Sequence, residues 1–192
     1  MTKNLLLIVA IMAFFCLKAD AQNLKLSYNS SLIYPGAKVG YEVPLTTKTI
    51  EKIKRSGKKK IFTRERLLSV NAAFYHHENY HDNLYVTAGI SFRRTKPSGF
   101  FFEFSPELGV SLTFIDGTTY AFDENNDLEI QKTNGYFYPL LSVGGGFGYD
   151  FSVKKELPVA VFTKLNMLTL YPYNSGFNLR PTFELGISYK LK

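Results

Sequence analysis

Glu103 and Glu107 are the first residues in this chain that could do paired-carboxylate chemistry. Four residues apart in an extended strand, they sit about 13 Å from one another. That is too far to share a proton, although Glu42 or Glu184 could approach either one. His76-His77-Glu78 with His81 forms a second cluster. Its spacing matches no His/Cys ligand motif, and it reads as a solvated polar turn. Gly144-Gly145-Gly146-Phe147-Gly148 is glycine-rich, but a phosphate loop needs a helix behind it. Here a strand pattern continues instead, so these glycines read as small residues lining an interior. No G-x-S-x-G elbow and no Walker or dinucleotide fingerprint occurs. The expectation is a non-enzymatic protein with no cofactor and no metal.

The charges on the strands are more informative than any catalytic motif. Lys38, Glu42, Arg93, Glu103, Glu107, Arg180, Glu184 and Lys190 all fall on the polar parity of alternating segments. Charges that share an interior need partners, because an unpaired buried one costs several kcal/mol. These eight are therefore expected to form an interior ion-pair network that bridges neighbouring strands.

The elements that would position them repeat with period two. Phe100, Phe102, Phe104, Pro106, Leu108, Val110, Leu112 and Phe114 alternate with Glu103, Ser105, Glu107, Gly109, Ser111 and Thr113. In a strand the two parities face opposite sides. Phe177 to Leu191, Leu84 to Phe92, Ala37 to Leu45, Leu68 to Phe74 and Phe137 to Phe151 repeat the pattern. The segments predict eight strands, at 36–48, 62–77, 82–94, 100–115, 117–124, 136–151, 157–171 and 177–191. Residues 49–61 are expected to be a long basic loop, and Asp116-Gly117 a hairpin turn. Pro44, Pro106, Pro139, Pro158 and Pro181 fall in or beside these strands, where a closed wall must absorb their missing N–H groups.

All-antiparallel strands of this kind close into a barrel or stack as a sandwich. The lengths favour a membrane wall, since a tilted spanning strand needs about 9–11 residues. The expected fold is all-β, an eight-stranded antiparallel up-and-down transmembrane β-barrel. Its apolar parity would face lipid and its polar parity the interior. Eight strands leave a lumen barely wide enough for side chains, so the charge network would plug it. A mean hydropathy of -0.08 excludes a helical transporter but not a barrel, which averages a greasy face against a polar one. The 13 Tyr and 17 Phe suit both strands and interfacial girdles.

The first 21 residues read as a signal peptide. Lys3 precedes an apolar run from Leu5 to Leu17, about 20 Å as a helix and too short to span a bilayer. Ala19-Asp20-Ala21 has the small-x-small cleavage pattern, which places the cut before Gln22. Residues 22–192 are then the exported barrel. The single cysteine, Cys16, leaves with the signal, so no disulfide is expected.

The net charge of +7 is concentrated locally. Lys52, Lys54, Arg55, Lys58, Lys59, Lys60, Arg64 and Arg66 lie in one short stretch, opposed within it by Glu65 alone. In the cytoplasm such a run would suggest nucleic acid. In an exported protein the fitting polyanion is lipopolysaccharide or another anionic glycan, and no nucleic-acid partner is expected.

The export signal, the amphipathic strands and phrases such as Gly144-Gly145-Gly146-Phe147-Gly148-Tyr149-Asp150-Phe151 resemble the small outer-membrane β-barrels of Bacteroidetes-type bacteria. The closing Phe183-Glu184-Leu185-Gly186-Ile187-Ser188-Tyr189-Lys190-Leu191-Lys192 belongs to the same texture. In general shape the chain is similar to the eight-stranded barrel of OmpA-type proteins. The resemblance implies residence in the cell outer membrane, contact with its lipid, and recognition by the outer-membrane insertion machinery. Many such barrels end on an aromatic residue, whereas this chain ends on Lys192. The implied role is structural or surface-interacting. Two other readings stay open: a narrow porin-like channel, and a soluble periplasmic lipocalin-like carrier.

Overall fold

In the computed structural model, residues 22–31, 34–53, 59–78, 81–115, 119–122, 128–131, 135–173 and 176–191 are described. The expected signal segment, residues 1–21, lies outside them. The strands are β1 (Gln22–Ser30), β2 (Gly36–Ile53), β3 (Lys59–His77), β4 (His81–Thr95), β5 (Phe100–Ile115), β6 (Thr119–Phe122), β7 (Leu128–Gln131), β8 (Gly135–Asp150), β9 (Val159–Tyr173) and β10 (Gly176–Leu191). One helical turn, α1 (Ser152–Lys155), separates β8 from β9.

Eight strands close into an antiparallel barrel in the order β1-β10-β9-β8-β5-β4-β3-β2. Each pairs with its barrel neighbour along the chain, and β1 pairs with β10 from Gln22↔Leu191 to Ser30↔Phe183 to shut the ring. Gln22 and Leu191 therefore lie together at one end of the barrel, the terminal end.

Two strand assignments change. Thr119–Phe122, the described part of the expected strand 117–124, is not part of the wall. It is β6, which pairs with β7 as a separate two-stranded ribbon between β5 and β8. Gln22–Ser30, not expected as a strand, is the first wall strand. Its alternation is real, with Asn23, Lys25, Ser27 and Asn29 inward against Leu24, Leu26 and Tyr28 outward. It is only nine residues long and directly follows the segment expected to be the signal.

The expected basic loop at 49–61 is also mostly strand. β2 and β3 stay paired from Thr46↔Arg66 to Ile53↔Lys59, well past the ends of their other neighbours. β1 stops pairing with β2 at Asn23↔Glu42, and β4 stops pairing with β3 at Thr63↔Thr95. The result is a two-stranded hairpin that extends from the end of the barrel where Gln22 and Leu191 lie.

Prolines occupy places where one ladder is already missing. Pro106 pairs with Val143 on β8, while on its other side the β4–β5 register runs from Gly89↔Glu107 to Phe92↔Phe104 with nothing between. Pro181 pairs with Met167 but lies beyond the end of β1. Pro139 lies just before the β8–β9 pairing starts at Leu140↔Leu170. Pro44 sits at a bulge, where the register moves from Pro44↔Leu67 to Thr46↔Arg66. A missing N–H costs little where there is no acceptor to leave empty.

The apolar parity faces outward all round the wall. Leu108, Leu165, Phe104, Phe147, Leu185 and Leu26 are each more than half exposed. A lipocalin-like carrier would turn this parity inward around its ligand, so the arrangement is the reverse of that alternative.

Candidate functional site: the barrel interior

The inward side chains stack in three tiers. At the end opposite the termini, Tyr75, Tyr85, Leu140, Leu168 and Leu170 pack with Ala73. At the terminal end, Phe101 and Phe162 pack with Ala160. Charged groups fill the space between.

The centre of that charged tier is Glu103 on β5. One carboxylate oxygen takes Arg93 Nη2 at 2.6 Å and Arg93 Nε at 2.8 Å. The other takes Lys164 Nζ at 2.9 Å and Lys25 Nζ at 3.4 Å. Glu42 on β2 closes the loop, accepting from Lys25 at 3.0 Å and from Arg93 at 2.8 Å. A second pair, Lys38 and Glu184, meets at 3.1 Å, and Glu184 also accepts from Ser27 and Asn166. Glu107 is buried, has no ion pair among the described residues, and accepts a hydrogen bond from Thr87 at 2.6 Å.

Lys25, Lys38, Arg93 and Lys164 thus stand against Glu42, Glu103, Glu107 and Glu184 in the middle of the barrel, while the fifth buried acid, Asp150, pairs with Lys190 at the rim. Balanced charge is what a low-dielectric interior requires, because removing either sign leaves a partner uncompensated. The network also leans on the aromatic tier below it. Lys25 Nζ lies 4.5 Å from the Phe162 ring centre, and the Arg93 guanidinium 4.9 Å from that of Phe101. Cations over ring faces are stabilised by the ring quadrupole.

Glycines on β8 make this packing possible. A Cβ at Gly146 would come within 2.5 Å of the Lys164 side chain, and one at Gly144 would collide with the side chain of Asn166. Small residues on one strand leave the volume that long side chains on the next strand occupy.

The structure places the expected charges in three groups. Lys38, Glu42, Arg93, Glu103, Glu107 and Glu184 are buried inside the wall. Arg180 and Lys190 are not in the central network. Arg180 lies at the mouth opposite the termini, donating to Tyr75 Oη and to Asn178 Oδ1. Lys190 lies at the other rim, 2.6 Å from Asp150. Both stand on inward-facing positions of β10, but that strand runs past the charged tier at each end. Lys25 and Lys164, central to the network, escaped the sequence reading. Lys25 belongs to the strand not expected. Lys164 lies on β9, where both parities are apolar: Phe162, Leu168 and Leu170 point in while Val161, Leu165 and Met167 point out. Position opposite Glu184 and Gly146 is what identifies it.

Of the basic stretch, Lys52, Lys59, Lys60, Arg64 and Arg66 lie exposed on the extended hairpin. Lys54, Arg55 and Lys58 lie outside the described residues. The histidines gather near the mouth rather than at an isolated turn. His77 stacks on Tyr34 with ring centres 3.5 Å apart, His81 contacts Tyr75, and His76 meets Asp82 at 2.6 Å.

No protein-family model matches the chain, and no curated protein matches it. Solved structures do. The N-terminal β-barrel domain of Pseudomonas aeruginosa OprF is similar over 90% of this chain and 98% of its own, with 12% identity and a TM-score of 0.49. Neisserial surface protein A is similar over 90% and 94%, with 10% identity and a TM-score of 0.45. The attachment invasion locus protein Ail of Yersinia pestis is similar over 89% and 95%, with 9% identity and a TM-score of 0.43. The closed ring, the outward apolar parity and the charged, paired interior stand on the chain's own geometry. By these the chain is an eight-stranded transmembrane β-barrel of the outer-membrane type.

Proposed function

We propose that the chain is an exported outer-membrane barrel that is closed to solutes and works as a structural and surface-interacting protein rather than as an enzyme or a pore. The observation that carries this reading is the Lys25–Glu42–Arg93–Glu103–Lys164 network, which crosses the lumen between β1, β2, β4, β5 and β9. An eight-stranded wall encloses only enough space for side chains, and here that space holds mutually bonded charges with aromatic tiers on either side. The buried charged side chains of the central tier are bonded to one another or, for Glu107, to the Thr87 hydroxyl, which supports a packing role over a catalytic one.

Residues 1–21 act in this reading as the signal peptide that delivers Gln22 onward to the periplasm. A chain that enters the outer membrane from the periplasm keeps both termini there when its strand number is even. The extended hairpin then faces the periplasm, and the β5–β8 connection faces outward. Lys52, Lys59 and Lys60, with Lys54, Arg55 and Lys58 of the same stretch, would meet an anionic glycan on the periplasmic side. Lipopolysaccharide, which lies in the outer leaflet, fits this orientation less well. Insertion by the outer-membrane machinery belongs to the same proposal.

The test is planar-bilayer recording on protein that shows the folded band before boiling and the unfolded band after it. The expected result is a membrane that stays electrically silent. Stepwise ion conductance from the folded species would overturn closure and favour the narrow channel. Recovery of the protein from soluble periplasm would overturn the membrane reading itself.

A further inference from the structure

The cations at the base of the hairpin have a geometry of their own. Lys48, Arg64 and Arg94 lie directly opposite one another across β2, β3 and β4, in the register Lys48↔Arg64 and Arg64↔Arg94. All three are exposed on the outer face of the wall. Arg66 stands beside them on the same face. Like charges directly opposite in a sheet repel. Among the described residues none of these four cations has an ion pair, and the hairpin's acidic residues Glu51 and Glu65 lie on the other parity.

The bulge at Pro44 creates this row. Up to Val43 the odd positions of β2 face outward and the even ones, Lys38 and Glu42, face in. The extra residue, Leu45, reverses the count, so Thr46, Lys48 and Ile50 face outward beside Arg66, Arg64 and Phe62. Without it Lys48 would turn toward the interior side. Thr46, Lys48, Ile50, Arg64 and Arg66 line a hollow of about 210 Å³. The Arg94 guanidinium lies 3.7 Å from the Phe62 ring centre, which fixes its plane and leaves its edge open.

The neighbours say what belongs there. Arg94 pairs with Phe102, and Arg66 with Phe92, which pairs in turn with Phe104. Those three phenylalanines are exposed members of the lipid-facing belt. The row therefore looks sideways at the edge of the apolar zone, where headgroups lie, and not along the barrel axis into water. We infer that Lys48, Arg64, Arg66 and Arg94 form a site for the headgroup phosphate of an anionic lipid in the leaflet on the side of the chain termini. Guanidinium groups suit it, since their forked donors match phosphate oxygens. The inference rests on the membrane-spanning reading and adds a specific lipid contact to it.

The test uses the full exported chain in phosphatidylcholine vesicles, with spin-labelled phosphatidylglycerol and phosphatidylcholine compared for association at the barrel surface. The wild type should prefer phosphatidylglycerol. Lys48→Gln, Arg64→Gln and Arg94→Gln should each reduce that preference, on the order of fivefold per cation at full contact. Arg64→Lys should retain much of it. Lys154→Gln with Lys155→Gln, which removes two charges at the same end of the barrel, should leave it unchanged. Equal association of the two lipids with the wild type, or an unaltered preference in the triple variant, would overturn the site. Displacement of the labelled lipid by inorganic phosphate would reassign the row to free anions. A wild-type chain that stays outside the vesicles would instead overturn the membrane reading, and the site with it.

Discussion

Arg93 and Glu103 face one another across β4 and β5, and Glu103 is at the same time the acceptor for Lys164 from β9 and Lys25 from β1. One carboxylate thus ties together strands that are far apart round the ring. Glu103→Gln removes the negative charge, leaving Lys25 and Arg93 with Glu42 as their ion-pair partner and Lys164 without one among the described residues. The expected loss is about 3–5 kcal/mol, the usual cost of orphaning a buried charge. A fall in the denaturant midpoint for unfolding from lipid vesicles measures it, and a midpoint within error of wild type would show that the network contributes nothing.

The Lys38–Glu184 pair permits a cleaner separation of pair energy from orphan cost. Lys38→Met and Glu184→Gln should each destabilise by about 3 kcal/mol or more, whereas the double variant should lie much closer to wild type. A double-mutant cycle in the same unfolding assay reports the coupling. Strictly additive losses would contradict a direct partnership.

Gly146 gives way to Lys164 across β8 and β9. Gly146→Val places a branched side chain where the lysine stem lies and where the Thr163 carbonyl approaches. Overpacking of this kind costs about 1–3 kcal/mol or blocks folding outright. Gly145→Val, on the outward parity with open space beyond it, should be tolerated. Comparing the folded fraction of the two variants on unboiled gels distinguishes a packing requirement from a general intolerance of valine in β8.

The chain has no tryptophan, so single reporters can be introduced without background. Leu108→Trp is expected to be quenched strongly by lipids brominated on their acyl chains, because Leu108 is 69% exposed on the outer face. Phe101→Trp, in a position only 2% exposed inside the barrel, should be quenched weakly. Equal quenching at the two sites would contradict the assignment of parities.

Much of this architecture was legible from local pattern. Period-two alternation is a property of the pleat itself, so Phe102, Phe104 and Leu108 declare the lipid face and Glu103, Ser105 and Glu107 the interior without reference to any other strand. Number was harder than texture. Residues 117–124 look like a wall strand, yet their described part, Thr119–Phe122, pairs with β7 outside the ring, while Gln22–Ser30 alternate just as well and close it. Nothing local separates the two, because membership of the barrel is decided by which distant edge a segment can meet.

The site depended still more on tertiary structure. Sequence alone set the expectation that inward carboxylates such as Glu42, Glu103 and Glu184 meet cations, since an unpaired charge in a narrow, low-dielectric lumen is costly, and Glu107, which accepts from the Thr87 hydroxyl instead, departs from it. Sequence could not say that those cations are Lys25 and Lys164 along with Lys38 and Arg93. Ion pairing across a barrel is a matter of inter-strand register, accumulated round the ring, and a one-residue slip would turn each partner to the opposite face. The bulge at Pro44 is such a slip, and it places Lys48 beside Arg64 on the outer surface instead of on the inward-facing parity.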